Sequence, residues 1–334
     1  MHRNSFHMFS LAIAIGLKAP AIKWLRHLAV ALLLLFPAEM SFGQDFVVVG
    51  ASLQKRADDV LAVMGIQAVP DLTTSSLSIK NPESGNPSLF MSKLGAGSRW
   101  SDSFPLYLEG GIAFSRYDPV FVASNGEETL RLPVKWNSVS AGVGIGWDIG
   151  LTDDLKLRPI ANFNLAYMAS DLAILGFVLE DRTGKDLEFL KRGSLQAVGY
   201  GGSLVLDYEH YRAEYEIDIE LRYTLARLDS FGGSSAVQGH ADVSNLNLWS
   251  RWRAPIGDWT AFGRPVRYVL ELAHSQYLSE DTRVLGFDYL TSLGVGLELD
   301  TSARNMIIDR TRFVGRYVFG ENVSGFSIGL AVSF

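Results

Sequence analysis

The sequence predicts an all-β fold: a transmembrane antiparallel β-barrel of about 12 strands, preceded by a short N-terminal helix that is either periplasmic or inside the lumen. Three observations predict it. First, at the end of the chain Ser324, Phe326, Ile328, Leu330, Val332 and Phe334 alternate with Gly325, Ser327, Gly329, Ala331 and Ser333. That period of two puts bulk on one face of a strand and small residues on the other. Second, alternating segments recur throughout the chain upstream. Third, the connections between them are alternately short and long, as in barrels whose short turns all lie on one side of a bilayer.

Taken in order, the chain opens on a leader. Leu28 to Ala38 is an apolar run preceded by Lys18, Lys23, Arg26 and His27. At about eleven residues it is too short to span a bilayer as a helix. Ser41, Phe42 and Gly43 follow, so residues 1–43 read as a secretory signal peptide cleaved near Gly43. Leu11 to Leu17 adds a second apolar patch; either the leader is extended or translation starts later.

Residues 1–43 hold four of the 30 basic residues and one of the 36 acidic ones, so the remainder carries a net charge of −9. This argues against nucleic acid as a partner. The absence of Cys excludes disulfides and thiolate chemistry. No segment after the leader approaches eighteen consecutive apolar residues, the length of a spanning helix. An exported, strand-rich chain of this kind is either a soluble periplasmic β protein or an outer-membrane barrel.

Residues 44–70 form an N-terminal segment. Phe46 to Val49 is a short β-like run. Ser52 to Met64 has helical periodicity, with Leu53, Ala57, Val60, Leu61 and Met64 on one stripe and Gly65 as its stop. It reads as a small periplasmic helix or as a plug within the pore. Residues 71–334 form the barrel. Strands are expected near 71–80, 87–98, 104–116, 131–149, 154–170, 194–208, 210–228, 241–254, 264–277, 284–299, 305–319 and 322–334. In the clearest, Tyr211, Ala213, Tyr215, Ile217, Ile219, Leu221 and Tyr223 oppose Arg212, Glu214, Glu216, Asp218, Glu220 and Arg222.

Short connections are expected around 98–103, 149–154, 208–211, 254–260 and 299–304, facing the periplasm. Long ones, 117–130, 171–193, 229–240 and 278–283, face outside. Trp147, Tyr208, Tyr211 and Trp252 then fall outward near the short-turn rim. Trp136, Tyr223 and Tyr317 fall towards the other rim, with the face of Trp136 left open. Inward positions are rich in charge: Glu214, Glu216, Asp218 and Glu220; Arg251 and Arg253 beside Asn245 and Asn247; Arg310, Arg312 and Arg316; Lys156 and Arg158. In so narrow a barrel they are expected to meet as ion pairs, because an unpaired charge in a confined lumen is costly.

Chemistry of other kinds finds few candidates. After the leader the histidines are His210, His240 and His274. Barrel phospholipases and deacylases use a His-x-Ser pair, whereas His274 is followed directly by Ser275, so the two side chains point to opposite faces. Barrel proteases combine acidic pairs with an Asp-x-His near the outer rim, and no Asp-x-His occurs; no metal or phosphate motif stands out. No catalytic residue, cofactor or metal is expected.

Ser327-x-Gly329-x-x-Val332-x-Phe334 resembles the terminal signal by which outer-membrane barrels are handed to their assembly machinery. Twelve strands, a helix just upstream and this ending together resemble the translocator barrel of autotransporters over residues 51–334. In that family the helix threads the pore and a secreted passenger precedes it. Here about 27 residues separate Gln44 from the first strand, so the expectation is a solitary barrel without a passenger, and the family's export role is not carried over. The resemblance implies residence in the outer membrane of a Gram-negative bacterium as a monomer. Its partners would be outer-membrane lipid and lipopolysaccharide, periplasmic chaperones and the barrel-assembly machinery. The expected role is structural, loop-presenting or that of a minor pore. A small anion-selective porin built on Arg310, Arg312 and Arg316 is the alternative, and a lipid-modifying enzyme the third reading.

Overall fold

The computed structural model describes residues 6–8, 47–48, 61, 63–67, 76–79, 88–101, 103–118, 120–124, 129–133, 135–171, 194–231, 239–261, 263–279, 287–300, 310–321 and 323–333. Phe334, most of the expected long loops and residues 52–60 of the expected helix lie outside them.

Twelve successive strands run antiparallel, each paired with the next. They are β1 (Ser76–Ile79), β2 (Ser88–Ser101), β3 (Phe104–Asp118), β4 (Trp136–Trp147), β5 (Leu155–Ser170) and β6 (Ser194–Tyr211). β7 (Glu216–Phe231), β8 (His240–Ala261), β9 (Arg264–Tyr277), β10 (Tyr289–Asp300), β11 (Arg310–Gly320) and β12 (Val323–Ser333) complete the meander. The sheet curls until β12 lies alongside β1, with Cα atoms of the two within 8 Å. Their backbones are not joined by a ladder among the described residues. Phe6–Met8, within the expected leader, pairs with Ala96, Gly97 and Ser98 on the part of the β2 edge that β1 leaves uncovered.

Along most of each strand, side chains alternate between two environments. Ile112, Val143, Phe163, Leu225, Val295 and Phe326 face outward and are exposed, Phe326 to 75%. So continuous an apolar exterior is stable against hydrocarbon and not against water. No helix among the described residues is long and apolar enough to cross a membrane.

Three boundaries differ from expectation. The strand expected over 131–149 divides at Pro133. Proline has no N–H for the ladder, and Thr129–Pro133 instead forms a hairpin with Val120–Ser124, joined by Val47–Val48. The turn expected at 208–211 is at 212–215, closed by the Arg212 N–H donating to the Tyr215 carbonyl at 2.9 Å. The turn expected at 254–260 is a bulge between Pro255 and Thr260 within β8. The reversal comes at Gly263, whose φ of 74° favours a residue without a side chain.

Candidate functional site

The inward faces fill the lumen in three layers. The layer at the long-loop end is apolar. Met91, Met168, Leu195, Leu228, Val243 and Val318 converge from different strands. At their centre sits the helical segment 61, 63–67, whose Leu61, Val63, Met64 and Ile66 are at most 1% exposed. These side chains pack against the hydrocarbon of the surrounding strands. The approach is close: a side chain on Gly65 would meet Val243 Cγ2 at 2.3 Å. The segment is held at its C-terminal end. Lys93 Nζ donates to the Ile66 carbonyl at 2.7 Å, a cation where helix carbonyls are unsatisfied. Gln67 Oε1 accepts from Ser115 Oγ at 3.1 Å and also from Ser138 Oγ.

Below it lies a belt of small neutral polar groups. Asn162 Nδ2 donates to Ser203 Oγ at 2.7 Å, and Ser203 Oγ lies 2.8 Å from Thr224 Oγ1. Asn245 continues the row as the cross-strand neighbour of Thr224.

The layer at the short-turn end is a network of charge in two lobes. In one, the Arg158 guanidinium bonds Asp148 through Nε and Asp207 at 3.0 Å, and stacks 3.8 Å from the Tyr107 ring centroid. Arg222 donates both terminal nitrogens to Glu109, at 3.0 and 2.9 Å, across the lumen, and its Nε to Glu220 at 3.0 Å. In the other lobe, Asp218 accepts from Arg251 at 2.9 Å and Arg253 at 3.1 Å. Glu216 meets Arg253 at 2.9 Å and Arg310 at 2.6 Å. Glu298 meets Arg253 at 3.2 Å and also Arg312, and Arg316 meets Glu271 at 2.7 Å. Nearly all these groups are buried. Each charge removed from water is answered by a hydrogen-bonded counter-charge, the condition under which such burial is tolerated.

Glu214 is a correction. It lies in the 212–215 turn, exposed, not on the inward face of β7. Tyr211 is another: it ends β6 on the inward parity, and its hydroxyl donates to Asp218 at 2.5 Å. Extending the β7 alternation backwards across a turn had reversed its face. Trp136, left open by the sequence, packs against the apolar layer. In the terminal strand, Ser327 is buried facing the lumen. Gly329 lies beneath Arg316, where a Cβ would come within 2.3 Å of Nη1. Val332 pairs with Thr311, and Phe334 is outside the described residues. The acids Glu109, Asp148, Asp207, Glu271 and Glu298 lie outside the inward charges expected from the sequence, and inward parity is the signal that could have found them.

His274 Nδ1 lies 2.8 Å from Thr291 Oγ1 on the outward face, while Ser275 is buried on the inward one. The two do not form a nucleophile–base pair.

An apolar exterior, a filled interior and an internal helical segment define a transmembrane β-barrel. No protein-family model matches the chain, and no curated protein matches it. The solved structures it is similar to include three autotransporter domains. The β-domain of the Bordetella autotransporter BrkA is 14% identical, with 78% of this chain and 96% of that one covered and a TM-score of 0.46. The transport unit of the autotransporter AIDA-I from Escherichia coli is 12% identical, with 85% and 100% covered and a TM-score of 0.43. The translocator domain of the autotransporter NalP from Neisseria meningitidis is 10% identical, with 74% and 82% covered and a TM-score of 0.35.

Proposed function

We propose that the chain is a non-enzymatic outer-membrane barrel, sealed at rest, that holds its long loops at the cell surface. The observation that carries this reading is the occupied lumen. The helical segment 63–67 fills the apolar layer, and paired charges fill the layer below. A conducting pore needs a continuous hydrated path past its selecting charges. An anion-selective porin would also need arginines free to attract its solute. Arg310, Arg312 and Arg316 are instead bonded to Glu216, Glu298 and Glu271. Anchoring in lipid, biogenesis through the assembly machinery and a monomeric state belong to the same reading.

A liposome-swelling assay tests it. Vesicles carrying the wild-type protein should swell in a small sugar no faster than empty vesicles, and deletion of residues 52–67 should accelerate swelling. Wild-type swelling at the rate of a general porin would defeat the reading.

A further inference from the structure

We propose that the outer wall of β5, β6 and β7 carries a binding site for one glycerophospholipid with an amine headgroup, taken from the inner leaflet of the outer membrane. The site has an acyl groove on these strands and a headgroup station at their short-turn ends, completed by Trp252 of β8.

The groove has a volume of about 580 Å³. Ala161, Gly202 and Leu225 are aligned across the three strands, and Pro159, Leu204 and Tyr223 form the next aligned row. Gly202 and Ala161 make a shallow floor between taller Leu and Tyr walls. In a bilayer such a notch is filled by hydrocarbon, since an unfilled one loses dispersion contacts on every side.

The headgroup station lies at the short-turn ends of these strands. Tyr208 and His210 stack at 6.2 Å, His210 and Tyr215 at 5.7 Å, and Tyr215 approaches Trp252 at 6.0 Å. Asp154 Oδ2 is fixed beside them, 2.7 Å from His210 Nδ1. Aromatic faces and a carboxylate attract an ammonium group. Exposed Arg212, in the adjacent turn, supplies a guanidinium for the phosphate.

The spacing fits one lipid. Gly202 and Tyr208 are separated by roughly 20 Å along the strand at about 3.3 Å per residue. At a strand tilt of about 40° that is ~15 Å along the bilayer normal, half of a hydrocarbon core about 30 Å thick. A chain whose headgroup sits at the short-turn rim would end at the groove. Short turns face the periplasm in such barrels, so the leaflet is the phospholipid one. The inference needs this orientation and is independent of whether the lumen is sealed.

Native mass spectrometry of the full mature protein, released from detergent after addition of phosphatidylethanolamine or phosphatidylglycerol with identical chains, tests the site. Wild type should retain the ethanolamine lipid about five-fold over the glycerol lipid, the worth of one exposed ammonium contact. Ala161→Leu, which fills the groove, should lower retention of both about five-fold. Asp154→Asn should bring the ethanolamine lipid down to the level of the other. Val295→Phe, on the lipid face of β10, should change neither. Equal retention of the two lipids by wild type overturns the proposal. So does an unchanged ratio in Asp154→Asn, or a loss in Val295→Phe equal to that in Ala161→Leu. Asp154 lies in a turn, so its variant keeps the test decisive even if Ala161→Leu does not assemble.

Discussion

At the scale of single residues, Arg253 concentrates the electrostatics of the lumen. Its guanidinium lies 2.9 Å from Glu216, 3.1 Å from Asp218 and 3.2 Å from Glu298, three acids from β7 and β10. Removing it leaves Asp218 to Arg251 and Glu298 chiefly to Arg310 and Arg312. Breaking a buried pair costs more than the pair contributes, because the surviving charge stays desolvated. Arg253→Ala is therefore expected to destabilise the folded barrel by about 3–5 kcal/mol, read from urea unfolding in lipid vesicles. Arg227→Ala is the contrast: Arg227 meets Asp229 at 3.1 Å, but both are exposed at the outer rim. Water and salt screen such pairs, and no measurable change in unfolding is expected. Equal losses in the two variants would mean that burial does not govern these contacts.

At the scale of elements, β12 combines two demands. Outward it shows Phe326 and Ile328 to lipid; inward, Gly329 clears the space that Arg316 needs to reach Glu271. The small residues of the ending thus have a packing reason alongside the signal they resemble. Deleting Phe334, or replacing it with Ser, removes the terminal aromatic of that signal. Degraded or periplasmic protein is expected, and a normal heat-modifiable band in outer-membrane fractions would contradict it. How far the elements were legible depended on local chemistry. Strand existence and facing were legible where the period of two was unbroken, as over Ile217 to Tyr223. Turn positions were not, where apolar alternation ran straight through a reversal, as from Tyr208 to Tyr215. The tyrosines and histidine there satisfy the pattern on either side of the bend, and only backbone pairing places the turn at 212–215. The short connection expected around 254–260 is likewise absorbed by the ladder, as a bulge between Pro255 and Thr260. The ion pairs were legible as inward charge on β7, β8 and β11. Their partners were not, because Arg222 reaches Glu109 across 113 residues of sequence.

At the scale of the whole molecule, alternating short and long connections are the ground for the orientation proposed in the membrane. Tags inserted near Asn125 or Gly184 should be reached by antibody on intact cells, and one near Asp153 should not. Equal labelling at all three positions would reverse or abolish the assigned topology. The same orientation puts the helical segment 63–67 at the outer end of the lumen and the charge network at the periplasmic end. In the proposed reading the barrel is closed twice, by hydrocarbon packing above and by paired charge below, with a polar belt between.

Single-channel recording in planar bilayers tests this double closure most directly. The wild-type protein is expected to be silent or nearly so. Deletion of residues 52–67 should open brief conductances that still pass the charge layer. Adding Arg251→Ala and Arg253→Ala to that deletion should widen them into a sustained pore. Steady anion-selective conductance in the wild type, reversed in sign when Arg310, Arg312 and Arg316 are changed to Ala at matched salt, would contradict the sealed lumen.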